Sequence, residues 1–152
     1  RLLLDALGLP ETCAYSFTTG CQMSHATALA AARHQVLARA GWDVEVDGLF
    51  GAPPIRVLAN AHRHSSVDRA LRLLGFGTGC IVPLGGGGSG GNLGKVGAAD
   101  LQAALAAAPG APTIVILNAG DLNLGASDDF ARLVPIAQAA GAWVHVDGAF
   151  GL

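Results

Sequence analysis

The run Trp143-Val144-His145-Val146-Asp147 constrains this chain more than any other stretch, because it ends on a single acid and passes at once into Gly148-Ala149-Phe150-Gly151. Such a run reads as a strand buried in a parallel sheet that delivers one carboxylate to the carboxyl edge, where open α/β folds bind ligands. Asp147 is therefore the first candidate for chemistry.

The rest of the chain supplies the elements such a sheet needs. Residues 23–39 are rich in Ala, Leu and Arg, with Gly41 where a helix stop is expected, and read as a long helix. Ile55-Arg56-Val57-Leu58-Ala59 follows two prolines and reads as a strand; residues 66–74 then read as a helix capped by Ser65 and ended by Gly75. Cys80-Ile81-Val82-Pro83 is a shorter strand, residues 100–107 an Ala-rich helix, Thr113-Ile114-Val115-Ile116-Leu117 a buried strand, and residues 128–140 a helix ended by Gly141. Alternating strands and helices imply a three-layer α/β/α arrangement around a mostly parallel sheet. Residues 1–152 read as one unit, with a Gly-rich surface insert at about 85–94. No internal repeat is found.

Composition excludes several classes. With 51% hydrophobic and 13% charged residues the chain has the makings of a core and not of a disordered segment. A net charge of −2 and the lack of a Lys/Arg cluster argue against nucleic acid. Cys13, Cys21 and Cys80 are odd in number and widely spaced, which suggests neither a disulfide framework nor a zinc site and fits a reducing, cytoplasmic setting. No metal site is expected. Every apolar stretch is broken well before the roughly 20 residues that span a bilayer. The run Leu2-Leu3-Leu4 is broken by Asp5 without a small-residue cleavage site, there is no initiator Met, and the last residues are strand-end residues, so both ends read as cut from a longer chain.

Two further segments carry candidate chemistry. Phe17-Thr18-Thr19-Gly20-Cys21-Gln22-Met23 runs through a Gly turn into the long helix, aiming unpaired N–H groups and the positive end of the helix dipole at one spot, as an anion site requires. An ordinary helix start with Thr caps is the equal alternative on these residues alone. His64 ends a strand-to-helix connection and precedes two serines; a lone histidine is more often structural than functional. The insert satisfies GxGxxG at Gly85, Gly87 and Gly90, as most glycine runs would, and fails as a phosphate-binding P-loop because Ser89 and Val96 occupy positions that need Gly and Ser/Thr.

In combination these segments resemble the group II pyridoxal-phosphate-dependent decarboxylases, the family of the glutamate, aromatic amino acid and diaminobutyrate enzymes. The resemblance is carried, in order, by Leu7-Gly8-Leu9-Pro10 with Phe17-Thr18-Thr19-Gly20, by His64-Ser65-Ser66-Val67-Asp68-Arg69-Ala70, by Asn118-Ala119-Gly120-Asp121-Leu122-Asn123-Leu124-Gly125-Ala126, and by His145-Val146-Asp147. It implies part of the large, pyridoxal-phosphate-binding domain of a fold type I enzyme. Gly20, Cys21 and Gln22 would cradle the cofactor phosphate, His64 would stack on the pyridine ring with His62 the less favoured alternative, Asn123 would line the same sheet edge, Asp147 would pair with the ring nitrogen, and Ala149 would lie against the opposite ring face. The chain departs from the family at Met23-Ser24-His25, at Asp121 and at Leu124. His145 is expected to pack or hydrogen-bond beside Asp147, whereas His25 and His34 have no such placement.

The implied activity is amino acid α-decarboxylation by a homodimer, through an external aldimine with the pyridinium ring as electron sink. The family's Schiff-base lysine would lie beyond Leu152, so the chain alone should be inactive; Lys95, its one lysine, follows the insert. Two alternatives remain: another fold type I enzyme, such as a carbon–carbon lyase or a desulfurase- or aminotransferase-like protein, and a dinucleotide-binding domain, which would need a tight Gly turn after the first strand.

Overall fold

The computed structural model of the protein describes residues 2–85 and 94–151; most of the Gly-rich insert, 86–93, lies outside the described residues. Four strands, β1 (Arg56–Asn60), β2 (Ile81–Leu84), β3 (Thr113–Asn118) and β4 (Trp143–Asp147), form a wholly parallel sheet in the order β2-β1-β3-β4. The helices are α1 (Leu2–Ala6), α2 (Cys21–Arg39), α3 (Val44–Asp47), α4 (Ser65–Leu73), α5 (Ala98–Ala106) and α6 (Phe130–Ala139).

The two-residue period of the strands sorts side chains into two cores. Val57 and Ala59 of β1 and Ile114 and Ile116 of β3 pack with Leu29 and Ala32 of α2 and Val67, Ala70 and Leu71 of α4. Leu58, Val115 and Leu117 point the other way, onto Leu101 and Leu105 of α5 and Leu133 and Ala137 of α6. All six residues of β3 are buried, as expected for the inner strand of a sheet covered on both faces. The expected three-layer α/β/α fold is therefore observed. Because β1 feeds α4 on one face while β3 feeds α6 on the other, the chain diverges between these neighbouring strands, and a crevice opens at their carboxyl ends.

Most element ends differ from the sequence reading by one or two residues, for local reasons. The long helix starts earlier, at Cys21, with Gly20 as N-cap at φ 145°, a conformation open in practice only to glycine. Thr18 supplies no cap; its hydroxyl donates to the Gly20 carbonyl at 3.2 Å. The expected cap of α4, Ser65, is instead its first residue, and His64 takes the cap position with its Nδ1 accepting from the Ser66 N–H at 3.3 Å. Helix α6 starts two residues late because Asp129 caps it, accepting from the Arg132 N–H. Asp128 is thereby freed for another task.

That task is to join three segments at the sheet edge. The buried Asp128 carboxylate accepts from the Val96 N–H and the Asn118 N–H, both at 2.7 Å, while its own N–H donates to the Asn118 carbonyl. Asn60 does similar work at the end of β1, donating to the Gly94 carbonyl at 2.7 Å and accepting from the His62 N–H. Replacing Asp128 with Ala strands two buried donors, so Asp128→Ala is expected to destabilise the fold by about 2–5 kcal/mol. Urea unfolding would show this as a lower midpoint with an unchanged slope; a loss below about 0.5 kcal/mol would mean that the two N–H groups find other partners.

Candidate active site

A cavity of about 240 Å³ lies at the carboxyl edge of the sheet, in the crevice between β1 and β3. Its walls include Cys21 and Gln22 from the start of α2, His64 and Arg69 from the β1–α4 region, Asn118 and Asp121 from the end of β3, and Asp147, Ala149 and Phe150 after β4. Five of the seven residues singled out from the sequence, Cys21, Gln22, His64, Asp147 and Ala149, are thus brought together. Gly20 adjoins them as the N-cap of α2 without lining the cavity, and Asn123 is not brought there. Asn123 is exposed in a turn organised by Asp121, whose Oδ1 accepts from the N–H groups of Asn123 and Leu124 at 2.9 and 2.7 Å. The asparagine on the cavity wall is Asn118. His62 is exposed and is not part of the wall.

Each group is set by its local chain. The N–H groups of Cys21 and Gln22 open α2 and have no preceding turn to bond to, whereas those of Met23 and Ser24 both donate to the Gly20 carbonyl. The Gln22 side chain donates to the Ser66 carbonyl at 3.2 Å, tying the start of α2 to the start of α4. At His64, Nδ1 accepts from the Ser66 N–H and lies 2.8 Å from its hydroxyl, so in the neutral ring the proton sits on Nε2. The turn carrying His64 is fastened by a two-point pair, Arg63 Nε to Asp68 Oδ1 at 2.7 Å and Arg63 Nη2 to Asp68 Oδ2 at 3.3 Å.

Asp147 is held at both oxygens. Oδ1 accepts from the Ala149 N–H at 3.2 Å, and Oδ2 lies 3.4 Å from Nε2 of His25, which is itself 2.9 Å from Nε2 of His145 through Nδ1. The His25 contact, ahead of the Ala149 N–H, keeps the Asp147 carboxyl below its ordinary range despite the opposing effect of burial. His145 lies beside Asp147 as expected; His25 was missed. Its one sequence signal is position, four residues after Cys21 and so on the same face of α2. The backbone beyond Asp147 is equally constrained, since a Cβ on Gly151 would collide with the Ala119 carbonyl, and only glycine lets the two loops meet.

No protein-family model matches the chain. L-2,4-diaminobutyrate decarboxylase of Rhizobium meliloti (strain 1021) is 30% identical over 146 residues, covering 94% of this chain and 26% of the relative. Among solved structures, the glutamate decarboxylase domain of a diaminobutyrate-pyruvate transaminase and L-2,4-diaminobutyrate decarboxylase from Vibrio parahaemolyticus superposes with a TM-score of 0.84 at 26% identity, covering 99% of this chain and 33% of that one. Oryza sativa TDC, solved with PLP and tryptamine, gives 0.77 at 26% identity, covering 96% and 31%. Fold and edge cavity define a segment of a fold type I, parallel-sheet enzyme domain. The chain belongs to the group II pyridoxal-phosphate-dependent decarboxylase family and spans about a quarter of the length of the curated relative it matches.

Burial, reinforced by neighbouring His25 and only partly opposed by Asp147, pushes His145 down to about 4 from an ordinary value of 6.5. The folded state therefore binds fewer protons than the unfolded state between those values. Stability is full above pH 6.5 and is lost as the pH falls toward 4, by on the order of 3 kcal/mol. Unfolding free energies measured across this window should decline with acidification, and His145→Gln should flatten that slope.

Proposed function

We propose that this chain is the central part of the cofactor-binding large domain of a pyridoxal-phosphate-dependent amino acid α-decarboxylase, a carboxy-lyase, whose Schiff-base lysine is supplied from outside these 152 residues. The observation that carries this reading is the placement of Asp147, an acid held ionised on the wall of an edge cavity that also receives the N-terminus of α2 and the ring of His64.

The residues present fit that cofactor. The free N–H groups of Cys21 and Gln22, at the positive pole of a 19-residue helix, suit a phosphate. The cavity exceeds the roughly 150 Å³ that accepts a benzene ring. Asp147 would hold a proton on the ring nitrogen, His64 would cover one ring face, and the small Ala149 would leave room against the other. Bound there, pyridoxal phosphate supplies an electron sink for the pair released as carbon dioxide leaves. Asn118 and Asp121 present polar groups at the same wall, and Arg69 adds a cation that an acidic group can meet. Lys95 is exposed and does not line the cavity, in keeping with a lysine supplied from elsewhere.

The proposal includes an amino acid substrate and a homodimer. Phe17 and Phe50 are 84% and 99% exposed, apolar surface suited to cover by the rest of the protein or a second copy. No helix among the described residues is long and apolar enough to cross a membrane, and the three free cysteines suit a reducing, cytoplasmic compartment.

The complete protein is expected to release carbon dioxide from one or a few members of a panel of L-amino acids, dependent on added pyridoxal phosphate; no release from any member would overturn the reading. In that protein Asp147→Ala should keep cofactor binding through the phosphate while turnover falls by about 10²–10³, and His64→Ala should weaken cofactor retention by roughly two- to tenfold. The 152-residue chain, reduced with borohydride in the presence of pyridoxal phosphate, should show neither turnover nor stoichiometric labelling of Lys95.

A further inference from the structure

Behind Asp147 lie two buried imidazoles that do not line the cavity shared by Asp147 and His64. His25 of α2 and His145 of β4 are 4% and 8% exposed, with ring centroids 5.2 Å apart and planes at 62°. A second cavity on this side, about 370 Å³, has Ser24, His25, His145 and Gly148 on its wall, and Asp147 stands with Cys21 and Ala149 between the two spaces.

The strand period explains the grouping. Trp143, His145 and Asp147 alternate with Val144 and Val146, and Trp143 packs in the α2 core while Val144 packs in the other. His145 and Asp147 therefore share the face toward α2, where His25 meets them. The neighbouring core is otherwise made of Ala26, Leu29, Val67, Ile114 and Ile116, so two polar rings here carry a desolvation cost that aliphatic side chains would avoid. The contacts form a chain, with Nε2 of His145 2.9 Å from Nδ1 of His25 and Nε2 of His25 3.4 Å from Oδ2 of Asp147.

We propose that His25 is a positioning residue for Asp147: it donates Nε2–H to Oδ2, keeping the carboxylate ionised and aimed, while His145 fixes the ring and tautomer of His25. The inference rests on the reading of Asp147 as the partner of the cofactor's ring nitrogen. An ionised carboxylate only accepts, so the proton of His25 must be on Nε2, and its Nδ1 is left to accept from Nε2–H of His145. His145, buried and kept neutral, can supply that hydrogen without adding a charge. Removing His25 would leave Oδ2 with no donor on this side and let the carboxyl group titrate upward through burial alone. The titratable groups that line this side are Cys21 from the same helix and His145 and Asp147 from β4; across Asp147 the first cavity adds His64, Arg69 of α4 and Asp121, whereas the α4 and β3 side chains of the adjoining core, Val67, Ala70, Ile114 and Ile116, carry no charge.

The complete protein tests this with His25→Leu, which keeps bulk and removes the donor, and His25→Gln, whose amide N–H can reach the place of Nε2. Expected for His25→Leu are a melting temperature near the parent's, pyridoxal phosphate affinity within about threefold, kcat lowered about tenfold or more with little change in KM, and the pH titration of the bound cofactor's absorbance displaced by about one unit toward acid. His25→Gln should recover most of that displacement. Equal effects of Leu and Gln, or an unchanged absorbance titration in His25→Leu, would overturn the proposal. Asp147→Ala in the same assay separates the two readings: if it displaces the titration and His25→Leu does not, only the role of His25 fails, whereas no displacement in either removes the role of Asp147 as well. Histidine ¹⁵N NMR of the unsubstituted, cofactor-free protein gives a readout that no substitution can confound, and it should find the His25 proton on Nε2; a proton confined to Nδ1 would also overturn it.

Discussion

Burial of the sheet on both faces governs where chemistry can lie in this protein. Every residue of β3 is buried, and β1 is buried from its second residue onward, so the strand middles are committed to two apolar cores. A polar side chain in those middles would need a partner that the cores do not offer. The functional groups that β1 and β3 contribute are thus confined to their ends, and because all four strands are parallel, the carboxyl ends lie on one edge. The divergence of α4 and α6 to opposite faces then opens that edge between β1 and β3, beside the ends of both strands.

An open edge needs reinforcement, and polar side chains supply it by replacing hydrogen bonds that the sheet no longer provides. Asp128 and Asn60 each join segments distant in sequence through short bonds to backbone groups, and Arg63 with Asp68 closes the turn after β1. These residues touch no cavity wall themselves, yet Asn118 and His64, which do, hang from the segments they fasten. Wall residues fixed by such support are what precise positioning of a bound ring requires.

The sequence was most legible where the chain repeats a simple period. The four strands stood out as apolar runs and the longer helices as Ala- and Leu-rich stretches between glycines, while the order of the motifs led to the family. Ends were less legible because caps are decided by competition: His64 displaces Ser65 as the cap of α4, and Asp129 caps α6 because Asp128 is engaged across the sheet. The short helices α1 and α3 were missed, although Asp43 ahead of α3 accepts from the N–H groups of Glu45 and Val46 as a helix cap does. At the site, Asn123 was favoured by its place in a motif, whereas the Asx turn made by Asp121 turns it outward. His25 was passed over because its partners are on β4, a relation that no local window of sequence contains.

That relation links two parts of the chain that are far apart in sequence. His25 and His145 are separated by 120 residues, so their meeting closes a loop whose entropy alone is worth about 4 kcal/mol. Among the described residues β4 is paired to β3 alone, so the contacts that offset this cost are those of β4 with β3 and of α2 with both. The acid at the end of β4 therefore has its full setting only where α2 and the β3–β4 pair are both in place, and a binding-competent edge reports that two distant parts of the chain have met.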